Sequence, residues 1–158
     1  MSNEAPPEEK LDARGLRFAL CAARWNGEIT GALLERARAA ILERQGEVDV
    51  YRCSGAFELA PLVARVARRG RTDGIIAIGA LIRGDTDHYT LLAAETTRAL
   101  GVLALELATN PRPVAVAFGV LTCQTLQQAQ ERAGRLDKGG EVAIACIEQV
   151  RALQAVGD

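Results

Sequence analysis

Short apolar runs and helix-spaced apolar positions take turns along this chain. Residues 17–22 (RFALCA) form an apolar run closed by Arg24 and Asn26, the pattern of a buried strand. Residues 31–45 then carry Leu33, Leu34, Ala37, Ala40 and Ile41 at helical spacing, with Thr30 as the expected N-cap and Gly46 as the stop. A second strand is predicted at 48–52, and a second helix at 58–69 with Leu59, Leu62, Val63 and Val66 on one side, halted by Gly70. The most apolar run, 74–81 (GIIAIGAL), predicts a central parallel strand. A polar segment, IRGDTDHY, leads into a helix that begins near Tyr89, has Gly101 as a weak point and ends at Asn110-Pro111-Arg112-Pro113. A fourth strand is expected at 114–121, followed by helices at 124–135 and 141–155.

Strands alternating with helices of this length imply an α/β fold, a parallel sheet covered on both faces and joined by right-handed crossovers. Residues 1–14 are polar, carry Pro6-Pro7, and are expected to be a flexible N-terminal tail ahead of one domain at 15–158. No internal repeat interrupts this order.

Composition narrows the chemistry. With 19 basic and 20 acidic residues the chain lacks the electrostatic footprint of a nucleic-acid binder or of a protein drawn to anionic membranes. No apolar stretch approaches the roughly 18–20 residues of a membrane span, and the N-terminus has no apolar signal core, so a cytoplasmic location is expected. There is one histidine, His88, two lysines, Lys10 and Lys138, and one tryptophan, Trp25, among six aromatic residues. A His-based metal site cannot be assembled from one imidazole. The cysteines, Cys21, Cys53, Cys123 and Cys146, show no zinc spacing and are expected to be reduced, with Cys21 and Cys146 acting as small core residues.

In an open parallel sheet, ligands sit beyond the carboxyl ends of the strands. Those ends are residues 23–26, 53–58, 82–89 and 122–125, which hold the only Trp, the only His, a Gly-Ala-Phe-Glu turn and a Gly-Asp-Thr turn. Neither GxGxxG nor GxxxxGK(S/T) occurs. Gly84-Asp85-Thr86 can offer backbone N–H groups and a hydroxyl to an anion if Arg83 or Arg132 offsets Asp85 and Asp87; equally, Asp87 or Thr86 can simply cap the following helix. His88 suits proton transfer or a surface position. Trp25 and Phe57 can stack on a flat heterocycle or fill a gap between loops. Glu58 is favourable at a helix start with or without a ligand, and Arg132 and Arg135 are favourable near a helix C-terminus.

In this order the segments resemble the 6,7-dimethyl-8-ribityllumazine synthase family over about residues 17–150. The likeness rests on Ala23-Arg24-Trp25-Asn26, Gly55-Ala56-Phe57-Glu58-Leu59, residues 79–89 (GALIRGDTDHY), residues 118–122 (FGVLT), and residues 128–134 with Lys138-Gly139. The resemblance implies a flavodoxin-like three-layer sandwich with a four-stranded parallel sheet. It also implies a homo-oligomer, a pentamer or an assembly of pentamers, with sites shared between neighbours. It implies that Trp25 stacks on the uracil of 5-amino-6-(D-ribitylamino)uracil beside Asn26, that Ala56, Phe57 and Glu58 hold the ribityl chain, and that Ala80, Leu81 and Ile82 line the pyrimidine pocket. Asp85, Thr86 and Arg132 would border the phosphate of 3,4-dihydroxy-2-butanone 4-phosphate, Phe118 would come from the adjacent subunit, and His88 would move protons. Lys138 is a further candidate. No cofactor and no metal are implied.

The chain departs from the family pattern in three places. Cys53-Ser54 stands where Val-Pro is usual, Cys123-Gln124 replaces Thr-Asp, and Asp137 replaces Asn after a segment about two residues shorter. A non-catalytic lumazine- or flavin-binding paralogue or assembly scaffold is the main alternative, and His88 together with Arg132 argues against it. An unrelated flavodoxin-like binding domain leaves the family order of the segments unexplained.

Overall fold

The computed structural model describes residues 11–157. Its strands are β1 (Arg17–Ala23), β2 (Glu47–Cys53), β3 (Gly74–Ile82) and β4 (Ala115–Cys123). Its helices are α1 (Gly27–Glu43), α2 (Leu59–Ala67), α3 (His88–Ala108), α4 (Leu126–Ala133) and α5 (Lys138–Val156). A short 3₁₀ turn, Ala56–Glu58, precedes α2. The four strands are all parallel in the order β2-β1-β3-β4. The α/β expectation and its parallel sheet hold.

Alternation along the central strands builds two cores. Phe18, Leu20 and Ala22 of β1 and Ile76 and Ile78 of β3 face α1, α4 and α5. Ala19, Cys21 and Ala23 with Ile75 and Ala77 face α2 and α3. All these residues are essentially inaccessible, and their burial is the main force holding the layers together. The edge strand β2 is instead largely exposed, with charged Glu47 and Asp49 on one face and Arg52 on the other, which discourages pairing with another strand. All four cysteines are free thiols, and burial pushes those of Cys21 and Cys146 up to about 12, so both act as core residues.

Several element ends differ from the sequence expectation, each for a local reason. Helix α1 starts at Gly27, earlier than predicted, because Asn26 adopts a left-handed conformation (φ 55°) and its carbonyl accepts from the N–H groups of Ile29 and Thr30. Thr30 is therefore no cap; it is buried one turn inside the helix. The left-handed residue after α1 is Gln45 (φ 66°), whereas Gly46 is needed for space: a Cβ there would lie 2.7 Å from Ile41 Cγ2. Helix α5 begins at Lys138, since Asp137 accepts from the N–H of Gly140 and serves as its N-cap. Gly139 lets α5 cross α1 closely; a Cβ there would meet Leu33 O at 2.4 Å. Gly101 does not break α3.

Of the expected tail, residues 1–10 lie outside the described residues. The stretch just before residue 15 is not loose. Ala13 is fully buried, its N–H donates to Arg44 O at 2.8 Å, and Arg151 Nη2 donates to Asp12 O at 2.9 Å. The ordered body thus reaches back past the expected boundary, because Ala13 fills space beside Gly46.

Candidate active site

The carboxyl ends of all four strands are tied to one another, by backbone groups and by one side-chain amide. After β1, Arg24 N donates to Cys53 O and Ser54 O (both 3.0 Å) and Trp25 N donates to Ser54 O (3.1 Å). Asn26 Nδ2 donates to Ala80 O at 2.8 Å, reaching across to β3. At the far side Arg83 N donates to Cys123 O (3.0 Å), joining β3 to β4. Loops that would otherwise be independent become one rigid rim.

Two aromatic rings stand out from this rim. Trp25 is 72% exposed and Phe57 66% exposed, which is costly for rings that pack on nothing and suits rings that await a flat partner. Trp25 is steadied by Gly55, whose would-be Cβ lies 3.4 Å from Trp25 Cδ1. Glu58 Oε2 accepts from Gly55 N at 2.9 Å and closes the 3₁₀ turn on itself, while Ala56 is buried beneath it. Cys53, at the end of β2, directs its thiol toward Gly55 O at 3.5 Å. Burial, with Glu58 nearby, raises that thiol above its ordinary range, so it stays protonated as a donor.

The β3 end supplies Ala80, buried, then Leu81 and Ile82, half-buried. Residues 83–88 follow on the surface, and His88 is the first residue of α3. The capping alternative fails here: Asp87 occupies the N-cap position with no side-chain cap hydrogen bond, and Thr86 makes none either. The first N–H groups of α3 are therefore open to an anion. Gly84 has free space around its Cα and a φ outside the left-handed region, so the fold does not demand glycine there. Arg83 is occupied by the Tyr89 ring (5.7 Å) and by Gln124 Oε1 (3.4 Å). Arg132 is half-buried, donates only to Gln128 O (3.3 Å) and forms no ion pair among the described residues. Its positive charge opposes the burial that raises the Cys123 thiol, which locates it beside the β4 end.

Phe118 and Lys138 stand apart from this cluster. Phe118, on the edge strand β4, pairs in register with Ala77 in mid-strand and lies about 17 Å along the strands from Ile82 at the usual strand rise. It is 43% exposed and, with Lys138, borders an open groove of about 390 Å³ between β4 and α5. Lys138 Nζ is paired with Glu141 at 2.6 Å. Gln124 and Thr125 are spent on α4: Thr125 caps it, and Gln124 N donates to Gln128 Oε1. The tie from Trp25 N to Ser54 O uses main-chain atoms alone, so no residue type in the sequence announced it.

Among the described residues there is no cluster of metal-ligating side chains and no helix long and apolar enough to cross a membrane. The family profile described as 6,7-dimethyl-8-ribityllumazine synthase matches residues 15–154. Curated proteins of that name resemble the chain over nearly its whole length. One from Anaeromyxobacter sp. (strain Fw109-5) is 43% identical over 93% of this chain and 90% of its own. One from Prosthecochloris aestuarii is 42% identical over 94% and 96%, and one from Chlorobium phaeobacteroides 44% identical over 90% and 92%.

Proposed function

The chain belongs to the 6,7-dimethyl-8-ribityllumazine synthase family, and from that premise we propose how its residues divide the work. The protein is an enzyme of riboflavin biosynthesis, a transferase. It condenses 5-amino-6-(D-ribitylamino)uracil with 3,4-dihydroxy-2-butanone 4-phosphate, releasing phosphate and 6,7-dimethyl-8-ribityllumazine. The substrate amine attacks the ketone to give an imine and water, inorganic phosphate is eliminated, and the ribityl-bearing nitrogen then attacks the remaining carbonyl, closing the ring with loss of a second water.

In this reading Trp25 stacks on the pyrimidine beside Asn26, with Ala80, Leu81 and Ile82 beneath. Ala56, Phe57 and Glu58 hold the ribityl chain; Glu58 spends one oxygen on Gly55 N and keeps the other for a hydroxyl. The phosphate lies at Asp85 and Thr86, on the uncapped N-terminus of α3, with Arg132 as its cation. Free space at Gly84 allows the anion to approach the backbone. His88, exposed at the head of the same helix, exchanges protons with the reacting amine and leaving water. Holding two substrates on one rim supplies much of the rate. The observation that carries this assignment is the pair of exposed rings, Trp25 and Phe57, on a rim locked by main-chain hydrogen bonds.

Two observations support completion of the site by a second chain. Phe118 is too far from its own strand ends to serve them. Leu91, Val102 and Leu105 leave an apolar exposed face on α3. We assign the protein to a cyclic homo-oligomer, a pentamer or an assembly of pentamers in the cytoplasm, in which Phe118 completes a neighbour's pocket and Lys138 borders the same contact. We assign residues 15–158 to a single domain, onto which Asp12 and Ala13 also pack.

Purified protein mixed with both substrates is expected to produce lumazine absorbance and fluorescence above the uncatalysed background. A folded protein that gives no increase overturns the assignment. Such a result favours the binding-paralogue reading.

A further inference from the structure

A second cavity, toward the amino ends of the strands, takes no part in this reaction. It has a volume of about 290 Å³ and is bordered by Arg17, Asp49, Tyr51, Arg69, Arg71 and Thr72. Arg17 opens β1, Asp49 and Tyr51 lie on β2, and the other three residues come from the link between α2 and β3.

The side chains in this cavity are unevenly satisfied. Arg17 is neutralised by Glu47, with Nε and Nη2 at 3.0 and 2.5 Å from Oε2. Arg69 touches only Tyr51 Oη, at 3.4 Å, and Arg71 has no hydrogen bond or ion pair among the described residues. Thr72 is only 5% exposed and its hydroxyl makes no hydrogen bond among the described residues, but that oxygen is open to the cavity; the sealed hydroxyl without a partner is that of Thr96, on α3. An open hydroxyl on the cavity lining is available to donate to a bound group. Two guanidinium groups without a paired carboxylate line the same cavity, in which Asp49 is the one lining carboxylate and Glu47 is taken by Arg17. Proximity to the α2 C-terminus gives Arg69 a structural reason to be there, but it leaves Arg71 and Thr72 unexplained.

We propose that this cavity binds a phosphate group, either inorganic phosphate or the head of a small phosphomonoester, clamped by Arg69 and Arg71 with Thr72 Oγ1 as a further donor. Planar guanidinium forks match tetrahedral oxyanions and give paired, charge-assisted hydrogen bonds. The volume of about 290 Å³ lies at the small end of the roughly 300–1,000 Å³ of ligand pockets and suits a small ligand. Asp49 works against the anion and sets its affinity. The cavity is distinct from the phosphate position at Arg132, which lies at the opposite edge of the sheet.

The test is calorimetric titration of full-length Arg132→Ala protein, which removes the active-site phosphate contact, with inorganic phosphate in one arm and glycerol phosphate in the other. One site per chain is expected. Binding should weaken at least tenfold in the added Arg69→Ala, Arg71→Ala pair and severalfold in Thr72→Val, and it should tighten severalfold in Asp49→Asn. Binding of both probes assigns the phosphate group itself; binding of glycerol phosphate alone assigns an ester. No saturable binding, or an affinity that the arginine pair leaves unmoved or that Asp49→Asn weakens, overturns the proposal. If the arginine pair fails to fold, the opposite signs expected for Thr72→Val and Asp49→Asn decide the question.

Discussion

The side-chain amide of Asn26 donates a 2.8 Å hydrogen bond to the carbonyl of Ala80, so the loop that carries Trp25 is fastened to the carboxyl end of β3, where we propose the pyrimidine binds. Asn26 also sits in a left-handed conformation that most residues resist. The two roles can be separated. Asn26→Gly keeps the conformation and loses the hydrogen bond, at a cost of about 1 kcal/mol. Asn26→Ala loses the bond and adds about 1–2 kcal/mol of backbone strain. Denaturant unfolding should rank wild type above Gly above Ala, while both variants raise KM for the pyrimidine substrate. Equal stability of the two variants overturns the account.

Trp25→Ala removes a ring that is mostly in solvent, so its melting temperature should stay within a few degrees of wild type. Its affinity for the pyrimidine should fall about tenfold, in line with the roughly 0.5–1.5 kcal/mol of an aromatic pair plus lost area. Calorimetry showing unchanged affinity counts against stacking.

His88 and Arg132 should fail in different ways. His88→Ala is expected to lower kcat by up to about 10²–10⁴ with little change in KM. Arg132→Ala should chiefly raise KM for the phosphate-bearing substrate, by about ten- to a hundredfold for one charged hydrogen-bond donor. Steady-state kinetics with each substrate varied separately distinguishes the two. A histidine variant defective only in binding rejects proton transfer.

The position of Phe118 in mid-strand predicts complementation. Trp25→Ala and Phe118→Ala chains, each impaired alone, should recover activity when unfolded and refolded together, because some sites combine an intact Trp25 with a neighbour's intact Phe118. Random mixing gives about a quarter of wild-type sites for a two-chain site in a closed ring. No recovery, with assembly confirmed by mass in solution, means that the site is built within one chain.

Arg36 grips Asp137 through both nitrogens, at 2.9 and 2.5 Å, and this hydrogen-bonded pair, helped by Gly140 N and opposed by partial burial, holds the Asp137 carboxyl below its ordinary value of 3.8. A depressed native pKa contributes stability above the unfolded value, which is lost as pH falls through the native one. Urea midpoints should therefore decline below about pH 4, and less so in Asp137→Asn, which retains the left-handed turn but not the charge. The difference will be modest, because the pair is partly solvated. Identical acid profiles reject the contribution.

Much of the fold was legible because period-two and period-3.6 patterns leave little choice for β3 or α1. Element ends were less legible. Thr30 is a good cap by residue type, but the chain turns four residues earlier, where Asn26 accepts the left-handed conformation. Asp137 in place of the usual Asn is explained likewise, since both tolerate that conformation and both can cap Gly140. The rings and His88 stood out by their rarity. The anchors of the rim did not, because Ser54 O and Ala80 O are main-chain atoms that every sequence possesses.

The amino-acid sequence alone determined the alternation of strands and helices, the edge on which the reactive side chains gather and the family to which those segments are alike. Local pattern suffices for these, since side-chain period and turn chemistry act over a few residues. The tertiary structure decided which strand ends are fastened together, that the α3 N-terminus is left uncapped, and that Phe118 lies in mid-strand, well away from the carboxyl ends of its own sheet. Those depend on sheet order and register, which bring together residues dozens of positions apart that no local pattern relates.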